Sequence, residues 1–382
     1  MKKITIYVLL GISILSSGQV FGQSKITGKL TGINSDTLLM QTFPSKDRSN
    51  ARMDTIALKN GRFVLPIKSN ELMEGYMYAK PSLKPDAKGR IPAVSMKGIQ
   101  LVLLPGQSLD ITGTLDDYKL GGSSFYEEIN ALNRSCKTYT NKIDSIANIC
   151  TALQKSGVAN DSIGKVYAQV RPWTQAMQNI KREYVQQHLD KDIAVYVLSQ
   201  LSRNDVGDFI NKLSEPVKSG IMAPIYQRLK DMYNKEMART KAKETVLPGK
   251  PAPEFTLKDL DGKDFSLSSL KGKYVILDFW GSWCGWCIKG IPEMKQSYEK
   301  YKGKVEFVGI DCNDTEKKWK DAVAKYELPW INVRNAGAPD VSVMYAVSGY
   351  PTKYIIDPEG KIVKAVIGED PAFYTFLEEL LK

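Results

Sequence analysis

The stretch VILDFWGSWCGWCIKGIP, Val275 to Pro292, constrains this chain more tightly than any other. Its apolar run up to Trp280 reads as a buried strand, and the residues from Cys284 to about Tyr301 read as a helix. The pair Cys284 and Cys287 therefore sits where a strand feeds a helix. Strands and helices go on alternating beyond it: VEFVGIDC as strand, TEKKWKDAVAKY as helix, then KYIIDPEGKIVKAVIG as a hairpin turning at Asp357–Gly360, and AFYTFLEELL as a closing helix. A βαβ pattern ending in ββα predicts an α/β sheet covered by helices.

What the cysteine pair does is bounded by what the rest of the chain lacks. A tetrahedral zinc site needs four ligands, and no second pair stands at ligand spacing. The five cysteines are Cys136, Cys150, Cys284, Cys287 and Cys312, and the single histidine is His188. One histidine also excludes Ser-His-Asp triads and multi-histidine metal sites, and Cys-His proteases find no support. A purely structural bridge over so short a loop gains little entropy. A redox pair has positive support. Cys284 in the first helical turn meets unsatisfied N–H groups and the positive end of the helix dipole, which stabilise a thiolate. The thiolate is the species that attacks disulfides. Cys287, one turn further in and better shielded, is placed to resolve the mixed disulfide. Two other readings use the same pair: a Cu(I)-binding chaperone, and a peroxiredoxin-like thiol peroxidase whose usual Thr-x-x-Cys activation is absent here.

Residues 246–382 resemble the thioredoxin-fold, exported TlpA/ResA-type thiol–disulfide oxidoreductases of the AhpC/TSA-like superfamily. The resemblance rests on motifs in order: LPGKPAPEFTLKDLDGKDFSLSSLKGK, DFWGSWCGWC, Pro292 in the active-site helix, and SGYPTKYIIDPEGKIV. It implies that Pro351 is a cis-proline packing against a redox-active Cys284–Cys287 disulfide, and that Tyr350 offers backbone to an extended substrate. It further implies that Asp278 is a buried acid relaying a proton with Cys287. Burial in VILDFW should raise the pKa of that acid. Of the tryptophans, Trp280 is expected in the core, Trp283 as active-site wall and Trp286 as exposed rim, the last two contacting substrate. The Gly285-Trp286 dipeptide lacks the histidine of strongly oxidising relatives, so reducing or isomerising protein disulfides is the expected direction. Such a role belongs to cell redox homeostasis of the cytochrome c maturation kind. No cofactor is expected, since the dithiol is the redox group. Cys312 is expected to be a buried small hydrophobe.

The first 245 residues follow different rules. Lys2 and Lys3 precede an apolar run from Ile4 to about Leu15, shorter than the ~20 residues of a membrane span. This fits a signal peptide over residues 1–22, cleaved after Gly22, and places the chain in the periplasm. Left uncleaved, it would tether the chain to the membrane. Residues 24–121 alternate in short apolar runs broken by turn signals and predict a small antiparallel β sandwich-like domain or barrel. Asn60-Gly61 is the clearest hairpin turn. Residues 122–245 are expected to be a helical region and linker, Ser124 capping its first helix and Pro172 starting another. On one continuous helix Cys136 and Cys150 would be about 21 Å apart, too far to bridge, so they either pair across a hairpin or stay as two buried thiols. Net charge is +11, but the lysines are scattered, without the runs that track phosphates, and nucleic acid is not an expected partner. Expected partners are protein thiols and disulfides, with a membrane electron donor. A homo-oligomer or a substrate dock is the expectation for the N-terminal half.

Overall fold

The computed structural model describes residues 24–67, 69–79 and 98–382, so the expected signal peptide lies outside the described residues. The chain forms two compact units, Met1–Tyr233 and Asn234–Lys382. No described helix is long and apolar enough to cross a membrane.

Among the described residues of the first unit, eight short strands form two sheets. They are β1 (Lys25–Leu30), β2 (Thr37–Pro44), β3 (Arg52–Ala57), β4 (Arg62–Pro66), β5 (Met73–Ala79), β6 (Gly98–Leu103), β7 (Leu109–Gly113) and β8 (Tyr118–Gly121). One sheet runs β4-β1-β7-β8 and the other β3-β2-β5-β6. Alternation puts Ile26, Leu30, Leu109 and Ile111 of one sheet into the same core as Leu38, Met77, Ile99 and Leu101 of the other, which is a sandwich. Two particulars differ from the expectation. The pair β1–β7 is parallel, because β7 returns to lie beside β1 from the far end of the second sheet. The Asn60-Gly61 turn, with both residues at positive φ, closes only a single bridge between Lys59 and Arg62. The chain then splits, β3 going to one sheet and β4 to the other. Gly61 is required there, since a Cβ would stand 2.2 Å from the carbonyl oxygen of Leu30.

Helices follow: α1 (Ser124–Lys155), α2 (Asn160–Tyr167), α3 (Arg171–Gln187), α4 (Asp192–Leu198), α5 (Arg203–Phe209), α6 (Glu215–Ser219) and α7 (Ala223–Ala242). The N-cap of α1 is Ser123, one residue before the expected Ser124, and it caps through its carbonyl, not its hydroxyl. Pro172 occupies the first turn of α3, where its missing N–H costs nothing. Tyr126 of α1 donates its hydroxyl to the Val102 carbonyl at 2.8 Å and fixes the helix on the β6 strand. The division between the two units falls inside α7, ahead of the boundary expected between residues 245 and 246. The reason is visible in the packing: Ala242 and Val246 join the core of the second unit.

The second unit contains β9 (Thr256–Asp259), β10 (Asp264–Ser266), β11 (Tyr274–Trp280), α8 (Gly285–Tyr301), β12 (Val305–Cys312) and α9 (Glu316–Lys325). It closes with β13 (Ile331–Asn335), α10 (Val341–Met344), β14 (Thr352–Ile356), β15 (Ile362–Ile367) and α11 (Pro371–Leu380). Its sheet runs β10-β9-β13-β12-β11-β14-β15, with β11 parallel to β12 and antiparallel to β14. This is the thioredoxin fold, with two added strands at one edge. Because β11 is central, its alternate side chains feed two cores. Leu277 and Phe279 join one with Ile310 and Tyr354; Ile276 and Trp280 join the other with Cys287, Ile291, Met294 and Phe373.

Candidate active site

The site begins where β11 ends. Gly281 turns the chain so tightly that a Cβ there would lie 2.4 Å from Trp283 Nε1 and 2.9 Å from the Cys312 carbonyl oxygen. Ser282 is then pinned twice by the Asp314 carboxylate, which accepts its N–H at 2.7 Å and its hydroxyl at 2.8 Å. Trp283 donates its indole N–H to the Cys312 carbonyl at 2.9 Å. With the loop held at these points, Cys284 falls at the N-cap of α8, and its Sγ accepts the N–H of Cys287 at 3.1 Å. That is the position at which Ser or Asp normally satisfies an orphan helical N–H. A thiolate there gains the same donor and the helix dipole.

Cys284 and Cys287 are joined as a disulfide. The two residues are shielded nearly alike, 6% and 4% exposed, whereas the sequence suggests a clearer contrast. The exposed groups are the aromatic ones: Trp283 is 52% and Trp286 64% exposed. Trp280 is buried with the disulfide in one cluster. Lys289 stands 4.5 Å over the Trp286 ring, a half-solvated cation–π contact one turn into α8.

The Tyr350–Pro351 bond is cis. The register sets Thr352 opposite Phe279, so Pro351 arrives level with Trp280, beside the loop that leads to Cys284. The Tyr350 ring meets the Trp283 ring edge-on at 5.2 Å. Pro292 lies inside α8 and removes the hydrogen bond that the Ile288 carbonyl would accept.

Asp278 is buried on the face of β11 that carries Ile276 and Trp280, the side against which Cys287 packs. Burial pushes its carboxyl above the usual aspartate range, and the Lys353 ammonium pulls against that. Lys353 Nζ stands 3.5 Å from Asp278 Oδ1 and 2.5 Å from Glu369 Oε1. The Glu369 carboxylate in turn lies where a side chain at Gly290 of α8 would go, 2.1–2.6 Å from that Cβ position. Sequence reasoning found Asp278 and missed Lys353 and Glu369. The available signal was a lysine within PTKYIID, in a strand otherwise apolar.

The AhpC/TSA family model matches residues 248–365. The thiol-disulfide oxidoreductase ResA of Bacillus cereus is 42% identical over 128 residues, which are 33% of this chain and 73% of that protein. The chain belongs to the ResA-type thiol–disulfide oxidoreductases. ResA of Bacillus subtilis is 38% identical over 138 residues, 36% of this chain and 75% of that protein. Among solved structures, the thioredoxin domain of a thiol-disulfide oxidoreductase from Bacteroides vulgatus is 33% identical. It aligns with a TM-score of 0.34, covering 36% of this chain and 99% of that one.

Around this ResA-type pair the structure adds supports. Cys312 is buried and free. Burial pushes its thiol up to about 12, so it stays protonated and unreactive. Its carbonyl holds Trp283, and its thiol lies against the Tyr350 hydroxyl and within 3.9 Å of Asn335 Nδ2. Asp311, fully buried at the end of β12, has its carboxyl pushed up to about 8 by burial and by neighbouring Asp314. The acid that pins Ser282 is thereby backed by a second one. Cys136 and Cys150 both lie on α1, buried and free; a single helix holds them apart.

Proposed function

We propose that this chain is an exported, periplasmic oxidoreductase that reduces or isomerises protein disulfides through Cys284 and Cys287. The observation that carries the reading is Cys284 Sγ at the α8 N-cap, accepting the Cys287 N–H at 3.1 Å beside a cis X-Pro bond. In this mechanism the Cys284 thiolate attacks a substrate disulfide. A Cys284–substrate disulfide forms, and one substrate sulfur leaves as thiolate and takes a proton. Asp278 accepts the Cys287 proton. The Cys287 thiolate then attacks Cys284 Sγ, the internal disulfide forms, and the second substrate thiolate is released. Two electrons have passed to the substrate and the dithiol is oxidised.

Pro351 and Tyr350 serve as the platform along which an extended substrate pairs, with Trp283 and Trp286 as its apolar rim. Turnover as a reductant draws electrons from a membrane donor, since the periplasm keeps no thiol buffer. Residues 1–22 act as the signal peptide, 246–382 as the redox domain. Residues 24–121 and 122–245 dock substrate or form a homo-oligomer.

Equilibration of the Cys284–Cys287 couple against reference thiol pairs tests the direction. A reduction potential near thioredoxin's, about −270 mV, is expected, and one near about −120 mV reverses it. The Cys287→Ser variant is expected to accumulate a covalent Cys284–substrate adduct, seen by mass spectrometry; turnover undiminished in that variant overturns the scheme. For the N-terminal half, sedimentation and insulin reduction by residues 246–382 alone are compared with the full chain. Identical behaviour in both removes the docking and oligomer roles.

A further inference from the structure

Lys353 is the only fully buried cation among the described residues, 2% exposed. A buried ammonium persists only when paired, and here it stands between two acids, 3.5 Å from Asp278 and 2.5 Å from Glu369. Each member comes from a part of the site that must move or react. Asp278 is on the strand that leads to Cys284. Lys353 follows cis Pro351 by two residues. Glu369 follows Gly368, whose φ of +90° turns the chain out of β15 and whose N–H bonds to the Pro351 carbonyl at 2.7 Å. The glycine at 290, one turn beyond Cys287, leaves the room that the Glu369 carboxylate fills. The acid–lysine–acid row therefore lies between the cis-proline segment and the active-site helix.

We propose that Lys353 and Glu369 are positioning residues of the resolving step, holding Asp278 as the acceptor of the Cys287 proton by setting one positive and one negative charge beside it. The proposal rests on the reading of Cys284 and Cys287 as an exchanging pair with Asp278 as their base. Lys353 favours ionised Asp278 and Glu369 opposes it, the directions that their charges dictate. The groups facing this carboxyl are few. From β14 comes Lys353 and from the segment after β15 Glu369, while Cys287 of α8 joins the cluster on the same face of β11. From α11 comes the Tyr374 hydroxyl, which senses Asp278, Glu369 and Glu293 together. The neighbouring position on β12 is Gly309, which brings no charge. Removing either charged neighbour should thus move the protonation of Asp278, and the two removals should move it in opposite directions.

The test is a single-turnover reaction of the reduced full chain with 4,4′-dithiodipyridine across pH 5 to 9. The first thiopyridone released reports attack by Cys284, and the second reports resolution by Cys287. Lys353→Met is expected to move the acid limb of the second release up by about one pH unit, and Glu369→Gln to move it down by a similar amount. The first release keeps its profile in both, and the double variant returns close to the parent. Coincident profiles, or two shifts in the same direction, overturn the proposal. Should Lys353→Met fail to fold by circular dichroism, Glu369→Gln decides alone. Absence of a second release from the parent protein would instead sink the underlying exchange reading, so the two failures are told apart.

Discussion

At the scale of single residues, the site is built on two glycines as much as on two cysteines. Gly281 faces a rigid indole and a backbone carbonyl, neither of which can yield. Gly281→Ala is expected to cost about 1–3 kcal/mol, the range for overpacking. It should also free Trp283 from the Cys312 carbonyl, read as changed tryptophan fluorescence on oxidation of the pair. Gly290→Ala meets a different obstacle, the end of a flexible glutamate. That carboxylate can move, but only by leaving buried Lys353. The variant is therefore expected to lose stability in urea titration, and to lose less of it in a Glu369→Ala background. Cys284, Cys287 and Asp278 stood out in the sequence because sulfur spacing and an acid among apolar residues are local signals. Lys353 and Glu369 join Asp278 only through strand pairing and a loop; the sequence shows a lysine in an apolar strand but not the acids it meets.

Secondary elements were legible where their own chemistry sets them and obscure where a neighbour does. The Asp357–Gly360 turn and the Pro172 helix start are local, and both stand where the sequence puts them. Splitting β3 and β4 between two sheets after a good hairpin turn is a tertiary choice, as is the parallel pairing of β1 with β7. Glu74 on β5 is held at 4% exposure by two arginines, Arg48 at 2.5 Å and Arg228 of α7 at 2.6 Å. Despite its burial, the arginines keep its carboxyl below the ordinary glutamate value of 4.5. Its contribution is then present above that value and fades as pH falls through the lower folded one. Glu74→Ala leaves Arg228, 20% exposed, without its carboxylate and is expected to cost about 3–5 kcal/mol, most clearly at neutral pH in urea unfolding. Asp311 on β12 works in the opposite sense. Raised from 3.8 to about 8 in the folded state, it binds a proton that the unfolded chain has released, so stability declines from pH 4 towards 8. Asp311→Asn is expected to flatten that slope in thermal unfolding, and an unchanged slope would assign it elsewhere.

For the molecule as a whole, the sequence distinguished an alternating β segment, a helical stretch and a redox fold. It placed the last most securely, because CxxC, proline and hairpin occur in fixed order. The sandwich was harder to see, since short two-faced strands state their alternation but not their partners. Sulfur is distributed unevenly across this architecture. Cys136, Cys150 and Cys312 are 3%, 2% and 1% exposed, and the remaining two cysteines close a bond with each other. An alkylating reagent given to the native oxidised chain should consequently modify nothing, and after mild reduction it should add at most two labels, at Cys284 and Cys287. Any count above two then reports molecules that have opened, and which of the three sites is tagged tells which unit opened. Cys136 and Cys150 stand for one unit and Cys312 for the other. The three sulfurs that take no part in exchange make the protein its own unfolding gauge.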